Sequence, residues 1–260
     1  MNTKSKTWIR NGVAESLNPE IFAGFIQNWF PGFIIRNFID PQEANEMAKR
    51  IDSFMEEYIT APGVAKAGPA MVDHGHDFDE YAKNSALWLD PTLSIPERIR
   101  LVNQVCGYLG IHTGMTIKPL VRENKRCFIG VFRKINTGAG AHLDILTEDS
   151  NAFSQRKTKF QASVVLHLEV PALGGETIIW DRTAQDGDKD KMIDSWQYDE
   201  SLFKDIRSVS IPAYAGDLII LSTLNYHKVM PSIDPAANRI SFSLFLMIFE
   251  DEPGTIYIYN

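Results

Sequence analysis

The sequence has few of the features that mark disulfide-stabilised, secreted or membrane proteins. Among its 260 residues there are only two cysteines, Cys106 and Cys127. Two cysteines are too few for a disulfide framework or a cysteine-rich zinc site, so we expect buried free thiols in a reducing cytoplasm. No apolar run is long enough for a membrane span, and the N-terminal segment MNTKSKTWIRNG lacks the apolar core of a signal peptide.

Positive charge is also scarce. The formal net charge is −7, from 26 lysines and arginines against 33 acidic residues. No basic cluster alternates with aromatic side chains, so we expect no nucleic-acid partner, because such proteins carry a basic footprint. The remaining composition, with 44% hydrophobic and 23% charged residues, is that of an ordinary globular protein. A chain of this length with many short strands favours a single domain over residues 1–260.

The hydrophobic pattern predicts helices in the first half of the chain. The apolar, β-branched segment Gly32–Asp40 predicts a strand, after which Asp40 and Pro41 have the residue types that begin a helix. A second amphipathic helix is expected from about Pro96, so that helical support spans about 41–112. Its apolar face is predicted to contain Ile99, Val102, Val105, Cys106 and Leu109.

The second half of the chain has the pattern of a β-rich fold. Thr60–Lys83 has no clear period and is expected to be a long loop. The predicted strands are Cys127–Arg133, Gln161–Val170, Glu176–Trp180, Asp217–Leu221 and Ile240–Phe249. This order favours a mainly β fold with flanking helices, a double-stranded β-helix (a cupin-like jelly roll) with its core at about 127–250. A charged insertion at about 181–205 interrupts the strands.

The tetrapeptide A-H-L-D contains the first candidate site residues. On a strand, His142 and Asp144 are two residues apart and point to the same face. A neutral imidazole and a carboxylate facing one pocket are two-thirds of a 2-His-1-carboxylate triad, the ligand set of non-haem Fe(II). Since H-x-D alone arises by chance on surface strands, a distant histidine is needed, and His227 after the apolar run GDLIILSTLNY is the candidate. His112 and His167 lack such a context, and His167 is expected to be a satisfied core or pocket-wall histidine.

A candidate anion-binding residue follows His227. Arg239 lies 239 − 227 = 12 residues further on and opens the run R-I-S-F-S-L-F-L, so that Arg239 and Ser241 share one strand face. The guanidinium fork suits two-point contact with a carboxylate, to which Ser241 adds a hydroxyl. In isolation, a structural arginine paired with an acidic side chain is the simpler interpretation. Downstream of H-x-D and the distant histidine, that simpler interpretation is no longer favoured, and a carboxylate-binding role is.

The order of these motifs resembles that of the Fe(II)/2-oxoglutarate oxygenase superfamily, including its prolyl-hydroxylase-type members. The likeness runs from about Phe33 to the C-terminus with Thr60–Arg126 unassigned, and it includes the segment GGET at Gly174–Thr177. The resemblance implies Fe(II) held by the three candidate ligands and 2-oxoglutarate anchored by Arg239 and Ser241. It also implies the use of dioxygen to hydroxylate a C–H bond of a carrier-free small-molecule substrate, with release of succinate and CO2.

A more detailed likeness is to carrier-independent halogenases that act on indole alkaloids, which points to specialised metabolism. In those halogenases a glycine replaces the carboxylate ligand, and chloride occupies the vacant position. This sequence has Asp144 at the matching position, so the resemblance implies hydroxylation without chlorination. Ile135 stands where prolyl hydroxylases often have a tyrosine, which leaves the contacts to the other end of 2-oxoglutarate unassigned.

Several alternatives stay open at the level of the sequence. The same site supports desaturation, cyclisation or epimerisation, and a non-redox cupin-like binding protein would need no anchor such as Arg239. The enzyme is expected in the cytoplasm, and a homo-oligomer is left open.

Substrate choice is expected to depend on two segments, the loop Met71–Tyr81 and the part Ile193–Phe203 of the insertion. In the loop, His74 and His76 form either a second metal motif or, more often, a solvated or substrate-binding pair. In the insertion, three aromatic side chains form an apolar lid or dock the insertion onto the sheet: Trp196, Tyr198 and Phe203.

Overall fold

The computed structural model describes residues 8–10, 12–55, 59–61, 64–71, 77–89, 95–145, 156–234 and 236–260. The helices are α1 (Pro19–Ile26), α2 (Pro41–Met55), α3 (Phe78–Leu89) and α4 (Pro96–Thr113). The strands are β1 (Gly32–Ile35), β2 (Ile59–Ala61), β3 (Val64–Ala67), β4 (Thr116–Pro119), β5 (Val121–Arg122), β6 (Lys125–Arg126), β7 (Val131–Ile135), β8 (Ala139–His142), β9 (Thr158–Glu169), β10 (Thr177–Thr183), β11 (Ser208–Ile211), β12 (Leu218–Ser222), β13 (Asn225–Val229), β14 (Ile240–Phe249) and β15 (Thr255–Tyr259). Short 3-10 helices lie at Asp188–Lys191 and Glu200–Phe203.

Two facing sheets form the β core. Within the described residues, nine strands form the larger sheet, in which the main order is β1-β12-β9-β14-β7-β3-β2 and β15 joins β14 to β4. The smaller sheet has the order β11-β10-β13-β8. Ile179 and Ile211 of the smaller sheet pack in one apolar cluster with Ile219 and Leu221 of the larger sheet. The predicted mainly β jelly roll with flanking helices is therefore confirmed.

Strand β14 explains how the larger sheet carries both a core face and a site face. Its side chains alternate, so that Ile240, Phe242 and Leu244 enter the main apolar cluster with residues of the helices. Ser241 and Ser243 lie on the opposite face and are also buried. The face that carries these serines looks toward the smaller sheet, because the helices cover the other one. This strand has the predicted bounds.

Helix α2 begins as the sequence predicts and covers the larger sheet. The Asp40 carboxylate accepts hydrogen bonds from the backbone N–H groups of Gln42 and Glu43, at 2.8 and 3.1 Å. The buried side chains of α2 recur at helical spacing: Ala44, Met47, Ala48, Ile51 and Met55. Within the described ranges, no helix has both the length and the apolarity needed to cross a bilayer.

Two elements in the first half of the chain differ from their predictions. The strand predicted over Gly32–Asp40 ends at Ile35, because the chain turns through Asn37 with a φ of 50° and binds Asp217. In α4, Ile99 is 50% exposed while Leu101 is fully buried. The buried side of α4 includes the polar Arg98 together with Leu101, so it is not the apolar face that the sequence predicted.

The expectation of a long loop over Thr60–Lys83 was wrong. Strand β3 pairs with β7 and extends the larger sheet, β2 pairs with β3, and α3 begins at Phe78. The short, alanine-rich strands have no readable period, because their pairing comes from the neighbouring strand and not from their own pattern. His74 and His76 lie outside the described residues.

The strand predicted over Cys127–Arg133 is displaced toward the C-terminus, to β7. Gly130 has a φ of 86°, and a Cβ at this position would lie 2.5 Å from the ring of Phe242. Cys127–Gly130 is buried but lies outside the strand, which begins at Val131.

Candidate metal centre

Two adjacent strands of the smaller sheet bring the two candidate histidines together. Strand β8 ends at His142, and His227 is the central residue of β13. The strands are antiparallel and place His142 directly opposite His227, with ring centroids 4.3 Å apart. Cross-strand partners have Cα atoms about 5 Å apart, so the sheet register removes the long separation of the two residues in sequence.

Asp144 joins the two histidines from a different position than expected. The strand ends at His142, so Asp144 follows β8 and does not share a strand face with it. Its carboxylate nevertheless lies 3.8 Å from Nε2 of His142 and 3.5 Å from Nε2 of His227. One ligand atom of each residue lies within 4.8 Å of the others. The structure thus gathers all three residues around one point, and their role as metal ligands stays a prediction.

Backbone carbonyls orient both imidazoles. Nδ1 of His142 lies 2.6 Å from the carbonyl of Gly140, and Nδ1 of His227 lies 3.0 Å from the carbonyl of Asn225. A carbonyl can only accept a hydrogen bond, so each Nδ1 carries a proton, and only the neutral form of each imidazole keeps a lone pair on Nε2. Both Nε2 atoms face Asp144, which is the arrangement that a metal ion requires of neutral histidine ligands.

The two histidines of the site differ in the direction of their pKa shifts. Burial and the neighbouring His227 lower the pKa of His142 to about 4, so His142 is neutral at pH 7. Burial raises the pKa of Asp144, but the hydrogen bond from His227 and the nearby charges outweigh it and hold that pKa well below its usual range. Burial lowers the pKa of His227, whereas the hydrogen bond and charge of Asp144 raise it above its ordinary value overall. Two imidazoles and one carboxylate form a donor set that suits Fe(II).

Arg239 lies on the larger sheet, immediately before β14. It is only 3% exposed, and its Nε donates to the carbonyl of Gly175 at 2.9 Å. Within the described ranges, no carboxylate lies within ion-pair distance of its guanidinium, and burial lowers its pKa to about 10. Ser241 follows on the same face and is buried as well. A buried guanidinium without a carboxylate is costly, so this pocket is suited to an anion.

Arg133 is a second arginine on the site face, and it was not among the site residues predicted from the sequence. Arg133 lies on β7 directly opposite Ser241 of β14 and donates a hydrogen bond to Ser243. Its positive charge contributes to lowering the pKa values of both His142 and Asp144. The sequence placed Arg133 at the end of a predicted strand, and only the register between β7 and β14 reveals which way it faces.

The insertion at 181–205 is anchored to the smaller sheet. The backbone N–H of Tyr198 donates to strand β8 at 2.8 Å, and Phe203 stacks on Trp180 with ring centroids 4.2 Å apart. Trp196 behaves differently, since it is 44% exposed and its ring meets that of His142 edge to face at 5.2 Å. Tyr198 and Phe203 therefore dock the insertion, whereas Trp196 borders the candidate metal centre. The first residues of the predicted insertion belong to β10.

Comparison with known proteins gives two curated relatives of partial coverage. The chain is 27% identical over 139 residues to the L-gamma-glutamyl-L-propargylglycine hydroxylase of Streptantibioticus cattleyicolor, which is 53% of this chain and 51% of that protein. It is 25% identical over 138 residues to the leucinostatins biosynthesis cluster protein S of Purpureocillium lilacinum, which is 51% of this chain and 56% of that protein. The similarity thus spans about half the length of the curated relatives that the chain matches. No family model matches the sequence.

Solved structures share the fold over nearly the whole chain. An N-substituted L-amino acid dioxygenase from Burkholderia ambifaria has a TM-score of 0.58 at 10% identity, covering 93% of this chain and 91% of its own. A non-heme alpha-ketoglutarate-dependent carbocyclase from nogalamycin biosynthesis has a TM-score of 0.51 at 13% identity, covering 92% and 87%. The chain therefore shares its jelly roll with solved dioxygenase structures and part of its sequence with a curated hydroxylase, and it brings a His-Asp-His group together. These findings make the chain similar to Fe(II)/2-oxoglutarate oxygenases.

Proposed function

We propose that this protein is an Fe(II)- and 2-oxoglutarate-dependent dioxygenase that hydroxylates an unactivated C–H bond of a carrier-free small molecule in specialised metabolism. The observation that carries the proposal is the convergence of His142, Asp144 and His227, with both Nε2 atoms close to the carboxylate of Asp144. The proposed enzyme is a single domain over residues 1–260, with the jelly-roll core at about 127–250. Its location in the cytoplasm stays a prediction, and whether it forms a homo-oligomer stays open.

Each group has a defined task in this proposal. His142, Asp144 and His227 hold Fe(II), which with 2-oxoglutarate and dioxygen supplies the oxidation of the C–H bond and yields succinate and CO2. Arg239 and Ser241 bind the far carboxylate of 2-oxoglutarate, because the buried guanidinium has no carboxylate among the described residues. Asp144 fills the ligand position that a halide would otherwise take, and this favours hydroxylation over chlorination.

The substrate in this proposal carries a carboxylate that pairs with Arg133. Arg133 lies on the site face of the larger sheet and is near enough to the candidate metal centre for its charge to act on His142 and Asp144. Both the curated hydroxylase and the N-substituted amino acid dioxygenase are named for amino acid derivatives, whose carboxylates are of this kind. Trp196 beside His142 supplies an aromatic wall.

A coupled assay tests the proposal. Anaerobic titration with Fe(II) and 2-oxoglutarate is followed by oxygen and a panel of N-substituted amino acids and small peptides, with succinate measured in each reaction. We expect succinate release that rises with the correct substrate and is lost in Asp144→Ala. Arg133→Gln should raise the substrate KM without changing the affinity for Fe(II).

The alternatives predict other results. A non-redox cupin-like binding protein would bind metal and release no succinate with any member of the panel. Desaturation, cyclisation or epimerisation would release succinate and give a product without an added oxygen atom, which mass spectrometry under oxygen-18 gas distinguishes.

A further inference from the structure

His167 is a buried histidine in the pocket of Arg239 that the proposed function leaves without a task. It lies on β9 directly opposite Ser241 of β14, and alternation along β9 places it on the site face. Its neighbours in sequence, Leu166 and Leu168, belong to the main apolar cluster on the other face. Its relative exposure is 0%.

Among the described residues, neither ring nitrogen of His167 has a hydrogen-bond partner. The sequence predicted a satisfied core or pocket-wall histidine, and the prediction that it is satisfied was wrong. Leaving a buried polar atom without a partner costs about 1 to 3 kcal/mol, and orphaned groups of this kind are rare in native proteins. A partner that is bound only during function removes the cost, which makes His167 a candidate ligand-binding residue.

The chemistry of the surrounding pocket limits what the partner is. Burial and the charge of Arg239 lower the pKa of His167 well below its usual value, so the imidazole is neutral and has one N–H donor. The guanidinium of Arg239 and the hydroxyl of Ser241 supply further donors in the same place. A group with several acceptor oxygens and a negative charge matches these donors, and a carboxylate has both properties.

We propose that His167 is a third binding residue for the carboxylate that Arg239 holds, donating an imidazole N–H to one of its oxygens. The inference rests on the proposed function, since it takes that carboxylate to be the far end of 2-oxoglutarate. In this role His167 adds a neutral donor to those of Arg239 and Ser241. Its buried imidazole then helps the protein to select 2-oxoglutarate as the cosubstrate. A ligand without the far carboxylate would leave the imidazole without a partner and would bind less tightly.

The test compares two keto acids on the wild-type protein and on His167→Phe, which keeps a ring but removes the N–H. Binding of 2-oxoglutarate and of 2-oxopentanoate, which lacks the far carboxylate, is measured by anaerobic calorimetry with Fe(II) present. A hydrogen bond to a charged group corresponds to a change of roughly 10- to 100-fold in the dissociation constant. We expect that loss for 2-oxoglutarate in His167→Phe, with 2-oxopentanoate affinity unchanged.

Two further variants separate binding from folding. His167→Gln keeps a side-chain N–H and should recover part of the lost affinity. His112→Phe makes the same exchange on α4, where the ring of His112 packs against that of Tyr108 with centroids 4.1 Å apart. This control should leave the affinities for both keto acids unchanged. Thermal unfolding of each variant checks that it is folded.

The remaining outcomes overturn the inference in distinguishable ways. Equal loss of both keto acids in His167→Phe would mean that the residue only shapes the pocket. Unchanged 2-oxoglutarate binding would mean that an internal water, and not the cosubstrate, satisfies the imidazole. A wild-type protein that does not bind 2-oxoglutarate at all would refute the proposed function itself.

Discussion

Replacing Arg239 by methionine should make the protein more stable in the absence of 2-oxoglutarate and less able to respond to it. Arg239 is 3% exposed, and burial lowers its pKa to about 10. That lowering corresponds to a cost of about 3 kcal/mol for holding the guanidinium charged inside the protein. Loss of the hydrogen bond to Gly175 offsets about 1 to 2 kcal/mol of this cost, so Arg239→Met should gain about 1 to 2 kcal/mol of unfolding free energy. For a chain of this size we expect the melting temperature to rise by about 4 °C.

With 2-oxoglutarate the order of stability should reverse. At a ligand concentration one hundred times the dissociation constant, binding stabilises the wild-type protein by about 2.7 kcal/mol. Truncating one partner of a buried charge-assisted contact costs about 2 to 5 kcal/mol of binding free energy. At the same ligand concentration, 2-oxoglutarate should therefore stabilise Arg239→Met by less than about 1 kcal/mol.

Thermal unfolding with and without 2-oxoglutarate, under anaerobic conditions with Fe(II), measures both effects. The matched control is Arg98→Met, because Arg98 is also buried and donates to the carbonyl of Ile129 at 3.0 Å, on α4 and away from the site. This control should keep the full response to 2-oxoglutarate whatever its own stability. An Arg239→Met protein that is destabilised alone and still fully stabilised by 2-oxoglutarate would refute the reasoning and make Arg239 a structural residue.

Four further predictions concern the metal centre, its wall and the thiols. His227→Ala should lose Fe(II) binding while keeping its fold, which equilibrium dialysis and circular dichroism measure; normal iron affinity would exclude His227 as a ligand. Trp196→Ala should raise the substrate KM and uncouple the reaction, so that succinate forms without hydroxylated product, because the aromatic wall beside His142 is removed. Burial raises the pKa of Cys106 to about 11 and that of Cys127 to about 12, so thiolate is scarce at pH 8, and a disulfide-exchange reagent should label neither thiol until urea is added. The wild-type product formed in chloride buffer should be hydroxylated and not chlorinated by mass spectrometry, and Asp144→Gly is the variant in which a chlorinated product would be sought.

The sequence predicted the parts of the fold whose pattern is local. Helix α2 follows from the Asp40 cap and a helical apolar stripe, and β14 follows from alternation at its start and the continuous apolar, aromatic-rich run that follows. The region between α2 and α4 could not be predicted in this way. Strands β2 and β3 are short and weakly apolar, and they exist because β7 offers a free edge for pairing.

The candidate ligands were recognisable for a different reason. Their residue types and spacing are restricted by metal chemistry, so H-x-D and a distant histidine carry information without any knowledge of the fold. The geometry behind them differs from the expected one, since Asp144 lies after the strand and reaches the site through the backbone that follows β8. The pairing of β8 with β13 places His227 directly opposite His142 and so brings the distant histidine to the site.

Arg133 and His167 show what a single sequence does not contain. Each is a polar residue in an apolar strand, and such a residue faces the core, the site or solvent according to which strands lie beside it. The register of β14 with β7 and β9 decides this, because it places both residues opposite Ser241. A shift of one residue in either pairing would turn the side chain to the helix-covered face. The donors around the proposed substrate and cosubstrate thus come from three strands and become a site only when the larger sheet has formed. Variants that disturb the register between β9 and β14 should therefore lose 2-oxoglutarate binding even where every ligand residue is intact.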